Sequence, residues 1–140
     1  MSRAQAWLQH ISNLLVGGTG LIYAWMLYFA TSADEFSIWN HPWQGQVHDL
    51  HLLFAPLLTL SFGIIWVVHA SKRVRSKQKL RRGTGLALCL SFLPMLFSAY
   101  LLQIAVDEDW RSIWKWVHLA TSVLWLASYV AHQLRPKSRA

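Results

Sequence analysis

The chain has 140 residues, of which 54% are hydrophobic and only 14% are charged, and its net charge is +7. A soluble domain usually carries about 25% charged residues, so this composition excludes both a typical soluble protein and a disordered chain. The single cysteine, Cys89, excludes an intrachain disulfide, a four-cysteine metal site and attachment of c-type haem through a Cys-x-x-Cys-His motif.

Four segments lack every Asp, Glu, Lys and Arg, namely 4–33, 50–71, 83–106 and 116–134. A helix needs about 20 mainly apolar residues to cross a bilayer core, and each segment reaches or approaches that length. We predict an all-α integral membrane protein whose residues 1–140 form one domain. Its four transmembrane helices are expected at about 6–30, 50–71, 83–106 and 113–134. Helix 1 contains Gly17, Gly18 and Gly20, which allow a neighbouring helix to approach closely.

The charged residues sort onto two sides of such a bundle. Basic residues precede helix 1, separate helices 2 and 3 and follow helix 4: Arg3, Lys72, Arg73, Arg75, Lys77, Lys79, Arg81, Arg82, Arg135, Lys137 and Arg139. Every acid lies on the other side, with only two basic residues beside them: Asp34, Glu35, Asp49, Asp107, Glu108, Asp109, Arg111 and Lys115. Because Lys and Arg stay cytoplasmic, we expect a bacterial inner-membrane protein with both termini in the cytoplasm. Its basic loop is expected to contact anionic lipid headgroups rather than nucleic acid.

Seven histidines carry most of the chemistry: His10, His41, His48, His51, His69, His118 and His132. An ionisable residue within a membrane span is a functional candidate by default. His118 and His132 are 14 residues apart in helix 4, about 40° short of four full turns, and lie about 21 Å apart along the axis. His51 and His69 are 18 residues apart in helix 2, which is five full turns and about 27 Å. Each pair is therefore expected to share one helix face.

Helices 2 and 4 run in the same direction in this topology. His51 is then expected to face His118 near the outer surface, and His69 to face His132 near the inner surface. Haem iron takes axial histidine ligands, so two such imidazole pairs predict two non-covalent b-type haems and no further catalytic residue. The two spacings differ by about 6 Å along the axis, which helix tilt would partly absorb.

Two alternatives stay open for these ligands. His48 lies one turn above His51 and is an alternative outer ligand, whereas His10 lies near the inner end of helix 1 and is an alternative to His69. His41, in the outer Asn-His-Pro-Trp loop, is expected to be an interfacial residue. His48 and His51 also form an i, i+3 pair beside Asp49 that could hold Zn or Cu.

The histidine pattern resembles that of four-helix membrane di-haem cytochromes b. This group includes cytochrome b561-like proteins and the cytochrome b subunits of membrane formate dehydrogenases and nickel–iron hydrogenases. The resemblance covers nearly the whole chain and rests on these residues: His10, Thr19 and Gly20 in helix 1, His48 and His51 in helix 2, and His118 and His132 in helix 4. In the formate dehydrogenase type the inner haem is held by helices 1 and 4, which favours His10. His10 lies about one turn closer to the Thr-Gly pair than that pattern expects, and this departure favours His69.

These observations predict an electron-transfer subunit rather than a complete enzyme. Bis-histidine ligation leaves no open iron position, and 140 residues leave no room for a separate catalytic domain. The expected partners are a periplasmic c-type cytochrome or dehydrogenase subunit at the acidic outer rim, and quinone near the inner face. Two other classes are kept as alternatives, namely a metal-handling or transporter-like membrane protein and a haem-free anchor or assembly subunit.

Overall fold

The structure is a computed structural model that describes residues 1–32, 34–75 and 82–134. These residues form helices and connecting turns and include no strand, which confirms the all-α class. The long helices are α1 (Arg3–Tyr28), α2 (Gln44–Ile65), α4 (Arg82–Ile104) and α5 (Glu108–Leu134). After α2 the chain continues through a π-helical segment, Trp66–Ala70, into the short helix α3, Ser71–Arg75.

Within the described part of the chain, three helical stretches are long and apolar enough to cross a membrane. They are Arg3–Tyr28, Gln44–Arg75 and Arg82–Ile104. Helix α5 has 27 residues and is the least apolar of the four long helices. The predicted length and apolarity of the first three spans are therefore confirmed, and the fourth span stays a prediction.

The chain divides into two compact units, Met1–His69 and Ala70–Ala140. In the first unit α1 packs along α2, and we call this pair hairpin 1; in the second unit α4 packs along α5, and we call this pair hairpin 2. That all 140 residues form one four-helix domain stays a prediction.

Helix α2 begins six residues, and helix α5 five residues, before the predicted helices at 50–71 and 113–134. Asp107 accepts a hydrogen bond from the backbone N–H of Trp110 at 2.9 Å and so caps α5. Glu108 and Asp109 lie in the first turn, where the positive end of the helix dipole stabilises carboxylates. Asp49 similarly lies within α2. These three acids lie outside the predicted helices at 50–71 and 113–134, because a charge-free window excludes every acidic residue.

The connection between α1 and α2 is fixed by one amide side chain. Asn40 Nδ2 donates to the carbonyl of Leu27 in the last turn of α1 at 2.9 Å. The backbone N–H of Asn40 donates to Oε1 of the buried Gln44 at 3.0 Å. These bonds satisfy a carbonyl in the last turn of α1 and the backbone N–H of Asn40 in the connection.

The most deeply buried side chains of both hairpins are small and polar. Ser12, Ser61 and Ser98 are at most 1% exposed. Each hydroxyl donates to a carbonyl of its own helix, as in the 2.6 Å bond from Ser98 to Pro94, and Ser12 also lies 3.3 Å from the carbonyl of Leu57 on α2. Small residues allow membrane helices to approach closely, so the helix contacts are narrow and the large apolar side chains lie on the outer surfaces.

The π-helical segment changes the register at the end of α2. It includes His69, and a full π-turn inserts one residue, or about 100°, relative to a continuous α-helix. The expectation that His69 shares a face with His51 assumed α-helical geometry throughout, so their angular relation differs from five whole turns. Six of the basic residues used for the topology lie outside the described residues: Lys77, Lys79, Arg81, Arg135, Lys137 and Arg139.

Candidate functional site: histidines held at Nδ1

His51 on α2 is fixed by two groups on α1. Its Nδ1 lies 3.1 Å from the carbonyl oxygen of Val16 and 3.2 Å from Oγ1 of Thr19. A carbonyl only accepts hydrogen bonds, so Nδ1 carries the proton and donates it. The Thr19 hydroxyl is 2.6 Å from the carbonyl of Leu15 and donates there, which leaves its lone pairs for the ring. The lone pair of the neutral imidazole is therefore on Nε2.

His118 on α5 has the same arrangement in hairpin 2. Its Nδ1 lies 3.1 Å from the carbonyl oxygen of Met95 and 3.4 Å from Oγ of Ser98, both on α4. The Ser98 hydroxyl donates to the carbonyl of Pro94 at 2.6 Å. The neutral ring of His118 therefore also carries its lone pair on Nε2.

The two arrangements have one sequence spacing in common. In each, a carbonyl at position i and a hydroxyl at position i+3 of one helix meet Nδ1 of a histidine on the paired helix. Positions i and i+3 lie on one face of an α-helix, and the hydroxyl bonds back to the carbonyl four residues earlier. We call this arrangement the Nδ1 cradle; it consists of Val16 and Thr19 in hairpin 1 and Met95 and Ser98 in hairpin 2.

His132, near the end of α5, is bound by a hydroxyl of the paired helix. Its Nδ1 lies 2.9 Å from Oγ1 of Thr84, near the start of α4. A Cβ added at the next residue, Gly85, would be 3.7 Å from Cε1 of the ring, which is ordinary contact. A Thr-Gly pair therefore lies against His132, as Thr19 and Gly20 lie against His51.

Gly20 makes the closest of these approaches. A Cβ built on it would lie 2.9 Å from Cε1 and 3.2 Å from Nδ1 of His51. By contrast, a Cβ at Gly18 would meet nothing within 4 Å among the described residues. The predicted close helix approach is therefore confirmed at Gly20. Gly18 takes no part in this contact with α2, because the two residues lie about 200° apart around α1.

The other histidines lie in different surroundings. His48 Nδ1 is 3.4 Å from Oδ1 of Asp49, and its ring centroid is 5.2 Å from that of Tyr23. His10 lies edge-on to Trp7 at 6.1 Å between ring centroids. Nδ1 of His41, in the connection before α2, accepts from the backbone N–H of Trp43 at 3.2 Å.

The pairing of α1 with α2 in hairpin 1 gives the positions of the two inner-ligand candidates, His10 and His69, along the helix axis. Thr19 lies opposite His51 and Ser12 opposite Leu57, so His10 is level with a residue about nine positions after His51, or about 13 Å along α2. His69 is about 27 Å from His51 by the same rise. His118 and His132 are about 21 Å apart, which is intermediate between these distances. Neither inner candidate matches that spacing in a straight α-helix, and the prediction of His69 or His10 stays open.

The two histidines of the alternative metal site, His48 and His51, have different neighbours at Nδ1. The ring of His51 points its Nδ1 at Val16 on α1, whereas His48 lies against Asp49. Across residues 1–32, 34–75 and 82–134, no three His, Cys, Asp or Glu side chains are grouped so as to hold a metal ion. The metal-handling alternative stays a prediction.

Sequence reasoning named the three bound histidines but missed most of the groups that hold them. Val16 and Met95 act through backbone carbonyls, which no residue pattern reveals. Ser98 and Thr84 could have been found from their positions opposite the histidines in an antiparallel hairpin. No protein-family model, curated protein or solved structure matches this chain.

Proposed function

We propose that this chain is a membrane b-type cytochrome subunit that carries electrons across the bilayer between a periplasmic redox partner and the quinone pool. Two bis-histidine b haems would supply the electron-transfer chemistry. His118 and His132 on α5 would each ligate a different haem. His51 would be the outer ligand from hairpin 1, and His69 or His10 the inner one.

The Nδ1 cradle is the observation that supports this proposal best. A histidine that ligates a metal through Nε2 usually donates its Nδ1 proton to a carbonyl or carboxylate, which fixes the ring and raises its basicity. His51 and His118 both have this arrangement, on separate helix pairs. Histidines serving only as interfacial residues would not need the same carbonyl and hydroxyl at the same spacing.

The residues that surround the rings have distinct roles in this proposal. The carbonyls of Val16 and Met95 hold the Nδ1 protons, and the hydroxyls of Thr19 and Ser98 limit rotation of the rings. The Thr84 hydroxyl orients His132. The glycine at position 20 lets the ring of His51 lie directly against the backbone of α1.

The proposed topology places α5 as the fourth membrane span and both termini in the cytoplasm. The described basic residues Lys72, Arg73 and Arg75 lie in α3, after the π-helical segment. In the proposed topology Glu108 and Asp109, in the first turn of α5, lie on the opposite side of the membrane. Lys and Arg are retained in the cytoplasm. The acidic side would then face the periplasm and attract a basic region of a redox partner.

Haem content tests this proposal directly. The protein purified in mild detergent should contain close to two haems per chain by the pyridine haemochrome assay. Its reduced-minus-oxidised spectrum should be that of a b-type cytochrome, and the haem should be extractable with acidic acetone. A ratio near zero overturns the cytochrome proposal, and a ratio near one leaves a single haem site.

Electron transfer across the bilayer needs a second test. Vesicles containing the protein and trapped ferricyanide should reduce the trapped oxidant when an impermeant reductant is added outside. His118→Ala should abolish this reduction, whereas His41→Ala should not, because Nδ1 of His41 is bonded in the outer connection. Equal rates in protein-free vesicles would contradict the proposed function.

A further inference from the structure

Gln9 on α1 is a buried polar side chain with an unsatisfied oxygen. The residue is 9% exposed, and its Oε1 has no hydrogen-bond partner among the described residues. The two neighbouring polar residues on this face are bonded within the helix. Ser12 Oγ donates to the carbonyl of Leu8 at 2.7 Å, and Asn13 Nδ2 donates to the backbone carbonyl of Gln9 at 2.8 Å. The unsatisfied atom is therefore the side-chain oxygen of Gln9.

A second buried glutamine, Gln44, differs from Gln9 because its side-chain oxygen has a hydrogen-bond partner. Gln44 is 3% exposed, and its Oε1 accepts the backbone N–H of Asn40 at 3.0 Å. A buried polar atom left without a partner costs about 1–3 kcal/mol, and the cost is not relieved by water inside a bilayer. Gln9 therefore carries a cost that Gln44 does not, and a bound polar group would remove it.

The chemistry of the glutamine amide indicates which class of polar ligand would bind Gln9. A glutamine amide is uncharged and offers an acceptor at one end and a donor at the other. A quinone oxygen accepts hydrogen bonds when it is a carbonyl and donates one when it is a quinol hydroxyl. Rotating the amide by about 180° presents either its donor or its acceptor, so a glutamine can bind both the quinone and the quinol. A lysine ammonium only donates and a carboxylate only accepts, so each suits one of the two states. This match favours a quinone over a ligand that can only donate or only accept a hydrogen bond.

The position of Gln9 along α1 agrees with a ligand that is dissolved in the membrane. Gln9 lies six residues after Arg3, the start of α1, or about 9 Å along the helix axis. In the proposed topology this places the amide within the cytoplasmic half of the bilayer. A quinone headgroup reaches this depth from the lipid phase.

We propose that the Gln9 side chain binds an oxygen of a quinone or quinol headgroup in the cytoplasmic half of the membrane. This inference rests on the proposed function, because it names the quinone-binding residue of the same subunit. The amide of Gln9 donates to the quinone carbonyl and accepts from the quinol hydroxyl. Gln9 is a binding residue and takes up no proton itself.

The test compares Gln9→Met with the matched control Gln44→Met in the purified, full-length, haem-loaded protein. Binding of decylubiquinone and of menadione is measured by quenching of tryptophan fluorescence. Gln9→Met should weaken binding about tenfold or more, which corresponds to about 1.4 kcal/mol. It should also leave the melting temperature of the quinone-free protein unchanged or raised, because an unsatisfied atom is removed. Gln44→Met should lower the melting temperature and leave quinone affinity unchanged.

The other outcomes separate this inference from the proposed function. Unchanged affinity in Gln9→Met, or no binding of either probe to the wild type, overturns the inference even if two haems are present. Absence of haem from the wild type overturns the proposed function instead. If Gln9→Met does not fold, Gln9→Asn shortens the amide by one methylene and should weaken binding of the same probes, and unchanged affinity there also overturns the inference.

Discussion

The ring of His51 lies so close to Gly20 that a single methyl group on that glycine would come within 2.9 Å of ring atom Cε1. Real Cβ atoms essentially never approach so closely. The imidazole is thus packed directly on the backbone of α1, while its Nδ1 is bonded to Val16 on the same helix. The position of this ring depends on the absence of a side chain at residue 20.

We predict that Gly20→Ala displaces the ring of His51 and destabilises the protein. Forcing an extra methyl group into a packed contact costs about 1–3 kcal/mol. The variant should lose the haem assigned to His51 and His118, or bind it with a changed spectrum. Haem content and melting temperature in detergent measure both effects.

Gly18→Ala is the matched control for that variant. It lies in the same helix, and a Cβ there would meet nothing within 4 Å among the described residues, so the substitution should stabilise α1 by about 0.5–1 kcal/mol through helix propensity. Equal haem loss in both alanine variants would contradict the role given to Gly20.

The hydroxyl groups at Nδ1 should differ in importance. Thr84 contacts His132 through its side chain, so Thr84→Val removes that hydrogen bond. Loss of a group that orients a metal ligand typically costs 10–100-fold in affinity, and the haem held by His132 should dissociate correspondingly faster in a detergent wash.

Thr19→Val and Ser98→Ala should have smaller effects than Thr84→Val. The backbone carbonyls of Val16 and Met95 stay in place in these variants and continue to accept the Nδ1 proton. We expect a shift in haem midpoint potential with little loss of haem. Haem loss that is greater in these two variants than in Thr84→Val would contradict the cradle.

The two histidines of α5 should serve different haems. His118→Ala should remove the outer haem and leave the inner one, whereas His132→Ala should do the reverse. His51→Ala should give the spectrum of His118→Ala. Loss of both haems from any one variant while the protein remains in the membrane would contradict two independent sites.

The inner ligand from hairpin 1 is decided by two substitutions. If His69 is the ligand, His69→Ala should reproduce the spectrum of His132→Ala, and His10→Ala should not. The reverse result would assign the ligand to helix α1. If neither variant loses haem, the inner site fails as proposed.

The charge distribution predicts the orientation of the chain. A reporter fused after Ala140 should be active in the cytoplasm, and one inserted beside Asp34 should be active in the periplasm. The opposite activities would exchange the inner and outer assignments of the histidines.

Much of the helical architecture could be predicted from charge-free segments, because a membrane span must exclude charge over its whole length. The helix starts were less predictable. Gln44 begins α2 six residues, and Glu108 begins α5 five residues, before the predicted helices at 50–71 and 113–134. At α5 the earlier start follows because capping and dipole effects favour acidic residues there. The π-helical segment had no signal in the residues around His69.

The candidate site could also be predicted only in part. Histidines stand out in an apolar chain, and their spacing predicted which of them share a face of α5. Two of the partners of Nδ1 are the backbone carbonyls of Val16 and Met95, whose direction depends on how two helices pack. The contrast between Gly18 and Gly20 also required the packed hairpin, because both residues suit a close contact equally well.

The π-helical segment can absorb a change in chain length at the end of α2. A π-turn holds one residue more than an α-turn, so removal of one residue between Trp66 and Ala70 would restore continuous α-helical geometry. The imidazole of His69 would then keep nearly the face that it presents now, because the deleted residue is the one that the π-turn accommodates. A natural gain or loss of one residue here would therefore leave the residues beyond it in register, and evolution of this helix end can proceed by length as well as by substitution.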